Sequence, residues 1–290
     1  MKKLILGLLI LLSIFGVIWC EETVDEMLLR GVRTSDISVV EKAIANGANV
    51  DFCDANDKTV LMYACEKNNY PMVKKLLESG SNASEKNTSG QTAIMIAAKE
   101  VNDIKFIKLL RNFGASVNEK DNQDKTVLMY ASENQSDVIV NFLIKEGVDL
   151  RPVDLFKNNA AMWAAKTGNI YTLNAYMRAN AVNWEQCDED GNDVFMLACL
   201  SGNINLVKRL LVGNTDFTIE KNNSMGEPYL IRLIRKKATN AIIGLVMDQY
   251  DPEQILCLQD VDNHDLRYWA KRTKNDYVTK KLDEIEKEWR

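Results

Sequence analysis

Asp57-Lys-Thr-Val-Leu-Met-Tyr-Ala64 occurs twice in this chain, returning letter for letter at residues 124–131. The offset is 67 residues, the sum of one unit of 33 and one of 34. An eight-residue identity at that distance marks an array of repeated units, not one globular core, so the architecture is to be counted before any motif is interpreted.

Three landmarks carry the period along the chain. Small residues recur at Gly31, Ala64, Ala97, Ala131, Ala164 and Ala198. Residues that tolerate the left-handed conformation beyond a helix end recur at Gly47, Gly80, Gly114, Gly147, Asn180 and Gly213. Helix-start residues with a side-chain acceptor recur at Thr59, Thr92, Thr126, Asn159 and Asp193. Within a unit, Thr59 opens a short apolar helix, Val60 to Cys65. After a polar turn, Met72, Val73, Leu76 and Leu77 give the spacing of a second, amphipathic helix. The polar stretch from Gly80 to Thr92 suits an extended arm with a tight turn. Each helix has about nine residues, below the ~12–15 needed for marginal stability alone, so a unit folds by stacking on its neighbours.

This anatomy resembles the ankyrin repeat. The family's Asp-x-x-Gly-x-Thr-Pro-Leu-His-x-Ala-Ala pattern appears as Asp54-Ala-Asn-Asp-Lys-Thr-Val-Leu-Met-Tyr-Ala-Cys65. It appears again as Asn87-Thr-Ser-Gly-Gln-Thr-Ala-Ile-Met-Ile-Ala-Ala98 and Asp188-Glu-Asp-Gly-Asn-Asp-Val-Phe-Met-Leu-Ala-Cys199. The resemblance implies an all-α solenoid of stacked helix-turn-helix units with projecting β-hairpin arms. It also implies a concave groove, lined by first-helix ends and arm tips, that binds a protein partner. The family's Pro is replaced, and its His is Met62, Met95, Met129, Met162 and Met196, which we read as an apolar core ladder. Residues 21–256 are expected to hold six clear units and a degenerate seventh, and residues 257–290 a charged helical cap.

Met1-Lys-Lys followed by an apolar run at 4–19 and then Cys20-Glu-Glu reads as a bacterial-type secretory signal over residues 1–20. Three fates stay open: lipidation of Cys20, cleavage to a free secreted or periplasmic chain, or retention as an anchor. Val17-Ile18-Trp19 is bulkier than a lipidation site prefers. All three place the repeats outside the cytoplasm, with membrane contact only through the N-terminus.

The chain carries a net charge of −5, and from residue 224 onward twelve basic residues balance twelve acidic ones. The negative excess therefore lies on the repeats, which does not suit a phosphate backbone, so nucleic acid is not expected as a partner. Arg232, Arg235, Lys236 and Lys237 read as a solvated helix face, with an anionic partner or membrane as the alternative. Cys53/Cys65 and Cys187/Cys199 share one spacing; an oxidising compartment permits two disulfides, while repeat homology explains the coincidence without them. His264 is the only histidine, no CxxC or phosphate loop occurs, and the carboxylates sit at arm tips. No catalytic centre, metal or cofactor is expected.

Specificity must lie where units differ. The helix-end positions Glu66, Lys67, Lys99, Glu100 and Lys166 line the expected groove. Leu155 and Phe156 are apolar at an arm tip whose counterparts are polar, and Trp184 and Phe217 share one arm position in successive units. Exposed aromatics are disproportionately interface anchors, so these four are the candidate hot spot of a monomeric scaffold; packing between arms is the competing reading. An inhibitor that covers one enzyme's active site is the alternative function.

Overall fold

The computed structural model describes residues 22–179, 182–212 and 226–289. Residues 1–20, where the signal segment is expected and which include Cys20, and also Phe217, Asn180 and Gly213 lie outside the described residues. Seventeen helices and no strands are built from those described. The first unit holds α1 (Val24–Arg33) and α2 (Ile37–Ala45), the second α3 (Val60–Glu66) and α4 (Tyr70–Glu78), the third α5 (Ala93–Glu100) and α6 (Ile104–Asn112). The fourth holds α7 (Val127–Glu133) and α8 (Asp137–Lys145), the fifth α9 (Ala160–Thr167) and α10 (Ile170–Ala179). The sixth holds α11 (Val194–Leu200) and α12 (Ile204–Val212), and the seventh α13 (Tyr229–Arg235) and α14 (Asn240–Met247). A short α15 (Pro252–Cys257) then precedes α16 (Leu266–Thr273) and α17 (Asp276–Trp289).

The helix starts are set by the residues that mark the period. Thr59 and Thr126 accept from the amides of Met62 and Met129, and Asn159 and Asp193 from those of Met162 and Met196. Thr92 departs from the pattern: its hydroxyl is buried without a hydrogen-bond partner, so α5 starts with no side-chain cap. At the other end, Gly47, Gly80, Gly114 and Gly147 all have positive φ, between 76° and 98°, which stops the second helix of each unit.

First helices pack on first helices and second helices on second helices, giving two layers. Ala64, Ala97, Ala131, Ala164 and Ala198 are wholly buried and let the first helices approach closely, and that layer makes the more extensive contacts. Met62, Met95, Met129, Met162 and Met196 are each at most 1% exposed, so the ladder is core. Cys65 and Cys199 are buried beside them, and burial pushes both thiols up; all five described cysteines are free.

The arms are tight turns, and the hairpin in them shrinks to single antiparallel bridges such as Cys53–Thr59, Lys120–Thr126 and Gln259–Asp265. One side-chain oxygen organises these turns: the carboxylates of Asp54, Asp121, Asp154 and Asp260, and the amide of Asn87, each accept from the amides two and four residues later. The residue between those two amides, three after the carboxylate, adopts a left-handed conformation, Asp57 and Asp124 at φ 55° and 60°, so the duplicated octapeptide begins on the turn itself. Successive arms are also tied to one another. The amides of Thr88, Asn122, Leu155 and Glu189 donate to the carbonyls of Asn56, Ser89, Gln123 and Phe156 at 2.9–3.2 Å. Gly90 combines positive φ with close approach: an added Cβ would meet the Asn122 amide nitrogen at 2.7 Å.

Residues 259–289 carry the arm turn, bridge and helix pair of the earlier units, so the same device runs to the end of the stack. Among the described residues no helix is long and apolar enough to cross a membrane.

Candidate functional site: the groove between first helices and arms

Four residues after the helix start in units two to seven and in the last helix pair stand Tyr63, Ile96, Tyr130, Trp163, Leu197, Arg232 and Trp269. Where that residue is aromatic and polar, it donates to the organising carboxylate of its own arm. Tyr63 and Tyr130 hydroxyls reach Asp54 and Asp121 at 2.7 and 2.5 Å, and Trp163 and Trp269 indole nitrogens reach Asp154 and Asp260 at 2.9 and 2.8 Å. Each carboxylate thus satisfies turn amides with one oxygen and an aromatic donor with the other. For Asp54, burial opposes ionisation, but the Tyr63 hydroxyl, the Asn56 and Lys58 amides and the Arg33 charge outweigh it and hold the group below the usual range. Asp260 is likewise held low despite burial, by the His264 amide, the Trp269 indole and the Asp262 amide.

Asp260, Asp262 and His264 lie close enough together to offer three ligand atoms. Their arrangement is the arm turn itself: Asp260 Oδ1 accepts from the Asp262 and His264 amides, and the position of His264 is held elsewhere by Lys58, Lys125 and Asn158. The grouping follows from the turn and gives no separate reason for a metal.

The lysine of the octapeptide completes the wall. Lys58 pairs with Glu66 at 2.9 Å and stands 4.4 Å above the Tyr63 ring. Lys125 pairs with Glu133 at 2.6 Å and lies 4.6 Å from the Tyr130 ring centre and 3.9 Å from that of Trp163, joining two units. The aromatic row escaped the reading of helix-end and arm-tip residues, although an Asp with Tyr or Trp nine positions later, recurring four times, is a visible signal for it.

Among the residues named from the sequence, Phe156 and Lys166 come together. With Trp163 and the acidic tip residues Asp188, Glu189 and Asp190 they line a cavity of about 230 Å³ between the fifth and sixth units. Lys166 lies 5.0 Å from the Trp163 ring centre. Leu155 and Phe156 are 56% and 51% exposed, although their backbones are pinned between neighbouring arms. Trp184 is placed differently: it packs, partly buried, against the core. Glu66 is engaged by Lys58, Lys67 is exposed at the end of α3, and Lys99 and Glu100 sit 3.7 Å apart beyond α5's core turns. Arg232 is also not on a solvated face; its side chain is 4% exposed.

The family model described as ankyrin repeats matches in three overlapping copies, at residues 28–121, 68–154 and 94–176, together half of the chain. The chain belongs to the ankyrin repeat family. Ankyrin repeats are interaction modules that generally bind other proteins and are typically not catalysts, which fits a groove built of turn-organising carboxylates. No curated protein matches the chain as a relative.

Proposed function

We propose that this ankyrin repeat protein is a non-enzymatic scaffold of the cell envelope, working as a monomer and binding one protein partner along the groove and arm tips. The observation that carries the reading is the arm tip at Leu155 and Phe156. Two large apolar side chains are more than half exposed there, on a backbone held by the Leu155 amide to Gln123 and by the Phe156 carbonyl to Glu189. An exposed apolar pair on a pre-ordered backbone costs little entropy to engage, which is what a binding anchor requires. Placement outside the cytoplasm rests on Met1-Lys-Lys and the apolar run at 4–19, and Cys20 is the point at which lipid would attach.

Proteins crosslinked to the wild-type chain in envelope extract should be compared with those crosslinked to a Leu155→Ser, Phe156→Ser double variant. A partner held in a one-to-one complex by the wild type and lost by the variant supports the reading; an unchanged crosslinking pattern rejects it. Mass spectrometry of the mature N-terminus reports cleavage and lipidation separately.

A further inference from the structure

The seventh unit inverts the charge pattern of the wall. In the second and fourth units a lysine just before the helix start pairs with a glutamate at the helix end, Lys58 with Glu66 and Lys125 with Glu133. In the seventh unit the residue before the helix start is Glu227 and the helix-end partner is Arg235. The aromatic of the row is replaced by Arg232, buried, with Nη2 donating to the Asp190 carbonyl and Nη1 3.9 Å from Glu227. Its Nε is buried and has no hydrogen-bond partner. Lys236 approaches Asp190 only at 3.9 Å and is half-exposed. Arg235 and Arg272 both flank the Trp269 ring, at 4.9 and 5.8 Å.

Arg232 and Arg235 therefore both lie against the buried carboxylate of Glu227, and Arg232 also acts on the buried Asp193. Burying an arginine is costly unless its donors are met, and planar, paired acceptors meet them best. Beside these groups lies a cavity of about 470 Å³ lined, among the described residues, by Arg232, Arg235, Lys236, Asp190, Glu227 and Val261. That is room for a side-chain carboxylate and its hydration. The negative excess lies on the units before residue 224, whereas this cavity gathers three cationic side chains against two carboxylates.

We infer that this cavity is a carboxylate-binding pocket, which receives an Asp, Glu or C-terminal carboxylate from an acidic segment of the protein partner. Arg232 positions the incoming group, and Arg235 and Lys236 contact it at the rim. The inference rests on the groove being a protein-binding surface, and it names the chemistry of one anchor on that surface.

The test uses the full chain and a fluorescein-labelled oligoglutamate peptide, followed by anisotropy at low and moderate salt, with oligolysine as the charge control. The wild type should bind oligoglutamate with saturable affinity, and Arg235→Gln with Lys236→Gln should weaken it about tenfold, equivalent to about 1.4 kcal/mol. Both substituted residues are exposed, and an unchanged circular dichroism spectrum confirms the fold. No saturable oligoglutamate binding overturns the inference, as does equal binding by the double variant. Inorganic phosphate displacing the peptide more effectively than acetate at equal ionic strength also overturns it, in favour of a phosphate site. If a partner lost on Leu155→Ser, Phe156→Ser still binds the Arg235→Gln, Lys236→Gln chain, the carboxylate pocket fails while the scaffold reading stands.

Discussion

The duplicated octapeptide permits an internally controlled experiment, because Tyr63 and Tyr130 are the same residue in the same local sequence with different surroundings. Tyr130 is 3% exposed; its hydroxyl donates to Asp121 at 2.5 Å and accepts from Gln91 Nε2 at 2.7 Å. Replacing Tyr130 by Phe keeps the ring and leaves no cavity. It removes a bond to a charged acceptor, worth about 1.5–3 kcal/mol, and leaves Asp121, itself 6% exposed, with one oxygen unmet. Losing the Gln91 bond adds about 1 kcal/mol. The expected destabilisation is about 2–4 kcal/mol. Tyr63 is half-buried, and the Arg33 guanidinium already lies 3.8 Å from Asp54 Oδ2, so it and water can take over when the hydroxyl goes. Tyr63→Phe should cost below about 1 kcal/mol. Urea unfolding by circular dichroism gives the global values, and amide exchange in α3 and α7 shows whether the loss is local, as neighbour-coupled units require. Equal costs for the two variants, or a larger cost for Tyr63→Phe, would refute the claim that the stacked neighbours set the strength of this bond.

Thr59→Val should destabilise by about 1 kcal/mol because a helix cap is lost, whereas Thr92→Val, which removes a buried and unpaired hydroxyl, should be neutral or stabilising in thermal melts. Asp193 is pushed up to about 6 by burial, against the amides of Met196 and Phe195 and the charge of Arg232. Its folded pKa lies above its ordinary value of 3.8, so the folded state holds the extra proton between the two values, and stability falls as pH rises from about 4 to about 6. Asp193→Asn keeps an acceptor for the Met196 amide, as Asn159 does for Met162. It should abolish that slope and raise stability above pH 6 by about 1–3 kcal/mol; an unchanged pH profile of urea midpoints would reject the reading. Gly90→Ala combines a left-handed backbone with a clash on the Asn122 amide and should cost more than about 2 kcal/mol, whereas Gly47→Ala, with open space around it, should cost about 1 kcal/mol by the same melts.

Much of the fold could be read in the chain because its signals are local. Caps such as Asn159, stops such as Gly80 and the small residues between them act within a turn or two of helix, and a period makes each visible several times over. The Met ladder was legible for the same reason. The groove was legible only in outline: Phe156 and Lys166 meet there, but Trp163 between them belongs to a row whose spacing from Asp154 is in the sequence while its place in the groove is set by stacking, and Trp184 turns toward the core. Arg232 shows the limit most plainly. In its own helix it looks like one of four basic residues on a solvated face, and only the Asp190 arm of the preceding unit and the Glu227 turn bury it.

The sequence by itself determined the unit: its length, its two helices, its turn, and that no unit is stable alone. Only the tertiary structure decided how deeply each unit's copy of a shared residue is buried and whom it bonds. Eight identical residues place one tyrosine half in solvent and the other in the wall, because burial is set by the unit stacked alongside, which lies some 33 residues away and differs for each copy.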